Sequence, residues 1–457
     1  MPQRPNKLSN PTFLFIFIVG GIVSLGIAKN IVDYALGDTY ITTLTKTVLS
    51  LDLIYFDSWW PMTEAAVAKL KFPDQGIYEN VFFERHIKFQ YPPISILPFW
   101  AVYKFDMSWE RATEIANFVS YLSLFGIVIC GYKTVTVIAK KYYSEFQVSF
   151  AFRVAIFLLV LVATFSFYPL MWGQFIGQIQ VIIDLLISIA FLSWLMGRKY
   201  FSGMMIALAA LIKPQFALFL LWALLRKEKQ FLMGLLIVFI PAGVISLAIF
   251  GFQEHLDYLR ALSHMGRHGE VYWPNQSING ILNRLLVDAT SLMWTLESFA
   301  PYNRLVHIGT ITSTVLLILL GLFYRHKMVI GENGEPSIGS ALDLAAMLLI
   351  CTIASPVAWI HHYGILLPVF LAAFLVAIHS FSTAAKISSL VNILLLCVSY
   401  FLLANYFTLA EKEVFSEPPL NLLQSLHFYG AVLLLIALFS LRIDLGGKTV
   451  GNRLRPN

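Results

Sequence analysis

The chain has 457 residues, of which 58% are hydrophobic and only 13% charged, with a mean hydropathy of +0.73. Soluble chains carry about 25% charged residues. Half that share, with apolar runs near the roughly 20 residues a spanning helix needs, excludes a soluble fold and marks a polytopic membrane protein. The net charge of +6 is no argument for a nucleic-acid partner, because in a membrane protein the placing of Lys and Arg outweighs their sum.

The chain opens with basic residues and turns apolar over 12–29, which predicts an uncleaved first helix with a cytoplasmic N-terminus. A polar loop over 33–93 follows, predicted to lie outside the cell and to carry short amphipathic helices. Residues 91–105 are apolar but contain Pro92, Pro93 and Pro98, and are read as not crossing. Further spans are expected over 111–139, 152–170, 175–197, 231–251, 304–324, 340–358, 361–379, 386–405 and 425–441. Residues 200–212 and 214–225 are each too short to cross alone. They read as a hairpin with Lys213 at its tip, which leaves Arg198-Lys199 and Arg226-Lys227-Glu228-Lys229 together on the cytoplasmic side. Lys140-Lys141, Arg325-His326-Lys327 and the basic C-terminal tail then fall inside as well, and residues 331–337 form a cytoplasmic turn.

The sum is an all-α, single-domain bundle over 1–457 with about twelve spanning helices and both termini cytoplasmic. On this topology four polar pieces share the outer side: the 33–93 loop, the 172–180 turn, a second loop over 252–303, and the 355–362 turn. The Lys213 tip reaches toward them from within the bilayer.

Several polar residues in these pieces need a reason. A carboxylate at the bilayer centre costs about 2.5–3.5 kcal/mol, and Asp57 sits near a hydrocarbon boundary in Asp57-Ser58-Trp59-Trp60. From the residues alone it is a general base or the N-cap of a helix over 58–70. Asp33, Asp38 and Asp52 precede it without matching spacing. Lys213 in an apolar run calls for a phosphate or carboxylate partner, or for snorkelling to a headgroup. Asp184 and Asp343 are candidates to pair with it or with an Arg. Arg284 suits bidentate phosphate binding or an anionic lipid interface. Trp59, Trp60, Trp172, Trp273 and Trp359 recur at the outer turns, as in an interfacial aromatic belt. Three cysteines lie inside apolar runs and read as helix packing. His361 and His362 are adjacent, without a nearby carboxylate, so no metal site is expected. No Gly-rich nucleotide loop is present.

The motifs, taken in order, carry a resemblance. The run Asp57-Ser-Trp-Trp-Pro-Met-Thr-Glu-Ala, then Gly76-Ile-Tyr78 and Tyr91-Pro-Pro93, closely resembles the first outer loop of the GT-C superfamily. Within it the nearest match is glycosyltransferase family 87. Gly177-Gln178-Ile-Gln180 follows that family's Gly-Gln-x-Asn pattern, with Gln180 in place of Asn. Gly203 to Lys213-Pro214-Gln215, Asn275-Gln-Ser-Ile-Asn-Gly280 to Arg284-Leu285, and Ser355-Pro-Val-Ala-Trp359-Ile-His361-His362 resemble its further segments.

The resemblance implies an inverting membrane glycosyltransferase of GT-C type with Asp57 as general base. It implies a polyprenyl-phosphate-sugar donor, mannose being the sugar expected, and a glycolipid or glycan hydroxyl as acceptor. Donor phosphate or sugar contacts fall to Lys213, Arg284, His361, His362, Gln178, Asn275 and Gln276. Tyr91, Trp60, Gln174 and Trp359 line the site, and neither metal nor cofactor is expected. The setting implied is the bacterial cytoplasmic membrane, with the site facing outward. The rival class is a transporter or lipid flippase, suggested by Lys213, Asp184 and the broken 200–225 segment, although no inverted repeat accompanies them.

Overall fold

The apolar runs form helices, and small polar residues start many of them. Asn10, Ser108, Ser149, Ser277, Asn303 and Ser337 each accept a hydrogen bond from a first-turn amide. The computed structural model describes residues 10–50, 57–105, 107–143, 149–295, 299–324, 337–384 and 386–453. Asp52, Arg325-His326-Lys327 and all but the last residue of the expected turn over 331–337 lie outside the described residues.

In chain order the helices are α1 (Pro11–Ala35), α2 (Tyr40–Leu49), α3 (Trp59–Lys71), α4 (Leu97–Lys104), α5 (Trp109–Tyr142) and α6 (Phe150–Ser166). Next come α7 (Tyr168–Phe175), α8 (Gln180–Leu195), α9 (Lys199–Ala210), α10 (Leu218–Arg226), α11 (Lys229–His268) and α12 (Ile278–Leu286). The last are α13 (Arg304–Phe323), α14 (Ile338–Ile353), α15 (Leu367–Ala384), α16 (Ile387–Ala404) and α17 (Leu426–Arg453). Among the described residues the one sheet-like pairing is an isolated antiparallel bridge between Asn275 and Trp359.

Seven stretches are long and apolar enough to cross a membrane: α1, α5, α11, α13, Ile360–Ala384, α16 and Leu420–Leu445. The pair α6 and α7 makes an eighth if taken as one span bent by 55°. The sequence pattern predicts an unbroken helix over 152–170. Instead the chain turns extended at Phe167 (ψ 102°), just ahead of Pro169 in the first turn of α7. The shorter apolar helices α8 and α14 are largely buried inside the bundle, as is α15. By contrast Met233, Ile237, Ile240 and Val244 of α11, and Leu305, Ile308, Val315 and Leu316 of α13, are exposed. Apolar faces of this size suit lipid, not water.

Helices α9 and α11 touch through glycine. A Cβ on Gly203 would come 2.2 Å from the Phe231 carbonyl oxygen, and one on Gly234 2.1 Å from that of Tyr200. Both obstacles are backbone, so neither can yield by a rotamer change. Gly203→Ala is therefore expected to destabilise the fold by about 1–3 kcal/mol, read as a lower thermal unfolding midpoint in detergent.

Two further features set the frame for the site. Gly251 (φ +81°) breaks α11, and beyond it Glu254 accepts the Ile77 amide with both oxygens (3.0 and 2.9 Å), fastening the segment after α3 to the second half of α11. At the other end, Asp343 of α14 bonds Arg226 at 3.0 Å and Arg442 at 3.1 Å, joining α10, α14 and α17. Asp343 is therefore the partner of two arginines.

Candidate active site

Asp57 does not cap α3. Ser58 holds the N-cap position without a side-chain cap bond, and the Asp57 carboxylate points elsewhere. The backbone lies against the turn between α7 and α8: the Asp57 amide donates to the Ile176 carbonyl (2.9 Å) and the Ser58 amide to that of Gly177 (3.2 Å). Gly177 takes φ +68°, which a non-glycine residue resists.

The side chains then follow a single sense of donation. Ser58 Oγ donates to Gln178 Oε1 (2.7 Å), and a hydroxyl has one proton. Tyr91 Oη, 2.8 Å from Ser58 Oγ, must therefore be the donor there, and the Ile179 amide donates to the same oxygen at 3.1 Å. With its carbonyl engaged, Gln178 can only turn its amide NH2 to Asp57, and Nε2 does donate to Asp57 Oδ2. Tyr78 holds Tyr91 from behind by donating to its carbonyl oxygen at 2.6 Å. Burial pushes the Asp57 carboxyl above the usual carboxylate range, while the Gln178 bond and the positive charges of Lys213 and Lys88 oppose the rise.

Lys213 lies just beyond α9, its backbone extended (φ −122°, ψ 97°) as a residue before proline prefers. It is buried, and its charge acts on Asp57, Asp184, His361 and His362. The two imidazoles meet edge to face, with centroids 4.8 Å apart. Both ring nitrogens of His361, Nδ1 of His362, Oδ2 of Asp184 and Oε1 of Gln180 have no hydrogen-bond partner among the described residues. Buried polar atoms left in this state are costly unless something else meets them.

Asn275, Gln276 and Arg284 form a second cluster, apart from Asp57. Asn275 Oδ1 accepts from Ser277 Oγ (2.9 Å) and the Ala358 amide (3.0 Å). Gln276 Nε2 donates to the carbonyls of Trp273 and Gln424, both at 2.7 Å. Arg284 donates to the Asn275 carbonyl (3.1 Å) and to Ser425 Oγ (2.6 Å). This cluster meets the histidine turn through the Asn275–Trp359 bridge, the Ile360 amide on the Pro274 carbonyl (3.1 Å), and Tyr363 Oη on the Gln276 carbonyl (2.5 Å). It fixes where His361 and His362 stand.

A model of glycosyltransferase family 87 matches residues 89–356, well over half of the chain. This chain belongs to glycosyltransferase family 87. It is also similar to a polyprenol-phosphate-mannose-dependent alpha-(1-2)-phosphatidylinositol mannoside mannosyltransferase of Mycobacterium tuberculosis (strain ATCC 25618 / H37Rv). The two are 25% identical over 243 residues, 52% of this chain and 51% of that protein, so the chain spans about half the length of this relative. The family 87 match takes in Gln178, Lys213, Asn275, Gln276 and Arg284. It begins after Asp57 and ends before His361.

The other residues expected at the site have contacts of their own. Gln174 accepts from Ser120 Oγ at 2.8 Å, linking α7 to α5. Trp60 and Trp359 are half-buried, the latter edge-on to Tyr272. Asp33 pairs with Lys29 (2.5 Å), and Asp38 Oδ1 accepts the Tyr40 amide (2.9 Å), so neither assists Asp57. Among the described residues no three His, Cys, Asp or Glu side chains stand together to hold a metal ion.

Sequence reasoning missed one pair beside Asp57. Lys88 and Glu270 form a 2.5 Å ion pair with both side chains buried, and Lys88 lies over the rings of Phe299 and Trp294. Burial pulls Lys88 down and pushes Glu270 up, each charge opposing the other's shift. The nearest signal was a charged residue immediately ahead of Phe89-Gln90-Tyr91. Lys88→Met leaves Glu270 buried and unpaired, so it is expected to lower unfolding free energy by about 3–5 kcal/mol. A Lys88→Met/Glu270→Leu double variant is expected to recover most of that loss in a denaturation series.

Proposed function

We propose that this integral, multi-pass membrane glycosyltransferase moves a sugar, mannose in our reading, from a polyprenyl-phosphate donor to a hydroxyl of a glycolipid or glycan. The site faces the outer side of a bacterial cytoplasmic membrane, in a bundle of about twelve spans with both termini inside. The observation that carries the reading is the packing of two distant stretches of a family 87 chain on one turn: Asp57 is held by Ile176 and Gln178, and a Cβ on neighbouring Gly173 would lie 3.4 Å from His361 Cβ.

Asp57, held by Gln178, takes the proton of the acceptor hydroxyl. The acceptor oxygen attacks the anomeric carbon from the face opposite the phosphate, and the carbon–oxygen bond to phosphate breaks. The electron pair leaves with polyprenyl phosphate, and configuration inverts. Negative charge grows on that leaving phosphate, where Lys213 and the two histidines meet it. These side chains supply the charge stabilisation without a resident metal. Tyr91, Trp60, Gln174 and Trp359 line the approach, and the cluster of Asn275, Gln276 and Arg284 holds the histidine turn in register.

The test is direct. Purified protein in lipid vesicles, given mannosyl-phosphate polyprenol and a glycolipid extract, is expected to yield a mannosylated product and free polyprenyl phosphate. The new linkage should have the anomeric configuration opposite to the donor's. Donor moved across the bilayer without a covalent product would overturn the reading in favour of transport.

A further inference from the structure

Asp184 has no task in the reaction just described, yet it is one of the most costly side chains in the bundle. It is 1% exposed, at the start of the second turn of α8. Its Oδ1 accepts from Gln180 Nε2 at 2.6 Å, and Oδ2 has no hydrogen-bond partner among the described residues. Ser188 bonds the Asp184 main-chain carbonyl and so leaves the carboxylate alone. A single amide does not offset the burial of a carboxylate, so a charge partner or a proton must.

Lys213 is the charge that acts on it, across space and not through a closed ion pair. Ser202 Oγ donates to the Ala190 carbonyl (2.8 Å), fixing the register of antiparallel α8 and α9. Counting outward from that contact at about 1.5 Å per residue, Asp184 lies about 9 Å up and Lys213 about 16 Å up. Both residues therefore lie on the same side of that contact, toward the end of the α8–α9 pair that carries Lys213. Of the charges that act on Lys213, Asp184 is the strongest, ahead of Asp57. The other acidic candidate, Asp343, is occupied by Arg226 and Arg442. The histidine turn is shaped around this carboxylate as well: a Cβ on Gly364 would lie 2.1 Å from Asp184 Oδ2 and 2.9 Å from Leu170 Cδ2, so only glycine lets the turn pass. The groups facing Lys213 are therefore Asp184 from α8, Asp57 from the first outer loop, and His361 and His362 from the turn before α15.

We propose that Asp184 is a positioning residue for the donor: its carboxylate is the fixed counter-ion that holds the Lys213 ammonium at the place of the departing phosphate. The inference rests on the reading of Lys213 as a donor-phosphate ligand. It divides two carboxylates on one lysine by task. Asp57 stays available to accept a proton, and Asp184 supplies the standing negative charge.

A double-mutant cycle on the full chain in lipid vesicles tests it, using Asp184→Asn, Lys213→Met and the two combined. Asn keeps the size of Asp and can still accept from Gln180. Asp184→Asn is expected to raise the KM for mannosyl-phosphate polyprenol about tenfold to a hundredfold and to leave the acceptor KM unchanged. The double variant is expected to be no worse than Lys213→Met alone, because Asp184 acts only through the lysine. If Lys213→Met leaves the donor KM unchanged, the donor-site reading itself fails. If Lys213→Met raises it but the Asp184→Asn effect is absent, or multiplies with it, the Asp184 inference fails alone. Should Asp184→Asn not fold, recovery of folding in the double variant supports the pair, and misfolding of both overturns it.

Discussion

Asp57→Asn is expected to lower kcat by about 10²–10⁴-fold, the range attributed to a positioned general base, in a protein that folds as well as the parent. Asn has the shape of Asp, and its carbonyl can still accept from Gln178 Nε2, so the Ser58–Gln178–Tyr91 network stays intact. What is lost is the capacity to take a proton from the acceptor. The sign of the stability change separates this from a structural lesion. Burial raises the folded-state pKa of Asp57 above its unfolded value. The stability it contributes is therefore fully present below the unfolded pKa and is lost as pH rises through the folded one. At neutral pH the ionised carboxylate is thus a net cost to the fold, and Asn removes it. Unfolding temperature at neutral pH is expected to stay level or rise while kcat falls. A variant that keeps full transferase activity, with the same donor and acceptor, would remove Asp57 from the chemistry.

The membrane architecture was legible because it is written in local composition. Expected spans over 12–29, 304–324 and 386–405 correspond to Pro11–Ala35, Arg304–Phe323 and Ile387–Ala404. The 91–105 run, read as too short and proline-rich to cross, contains the eight-residue α4. Residues 200–225 do form two short helices with Lys213 between them. Local composition says less where a helix is broken by a geometric need, as at Phe167 ahead of Pro169 or at Gly251. It says nothing of pairing across distance. Lys88 and Glu270 are 182 residues apart and form one buried ion pair. Asp343 and Asp184 look alike in sequence, each a lone carboxylate in an apolar run, and the fold gives the first two arginines and the second the vicinity of Lys213. Asn275, Gln276 and Arg284 are chemically apt for phosphate or sugar. Their amides and guanidinium nevertheless hold backbone carbonyls and Ser425, a choice set by which loop packs on which.

Gln178→Met is expected to shift the acid limb of the kcat/KM–pH profile upward by about one to two units. Two opposing effects set the protonation of Asp57: burial favours the neutral acid, and the Gln178 bond is the largest effect that favours the carboxylate, ahead of Lys213 and Lys88. A hydrogen bond to a charged group contributes about 1.5–3 kcal/mol, and one pKa unit corresponds to about 1.4 kcal/mol. Methionine has a similar length and no amide, so burial continues to act without its main opponent and the Asp57 pKa rises further. A base works only when ionised. The pH below which activity falls must therefore move up, while the plateau above it is less affected. Ser58 loses its acceptor in the same variant, so some loss of stability is also expected; it lowers the amount of active enzyme at every pH and cannot by itself move the limb. An acid limb that stays in place would mean that the group titrating in the profile is not the one Gln178 holds. The role given to Asp57 would then fall together with that of its partner.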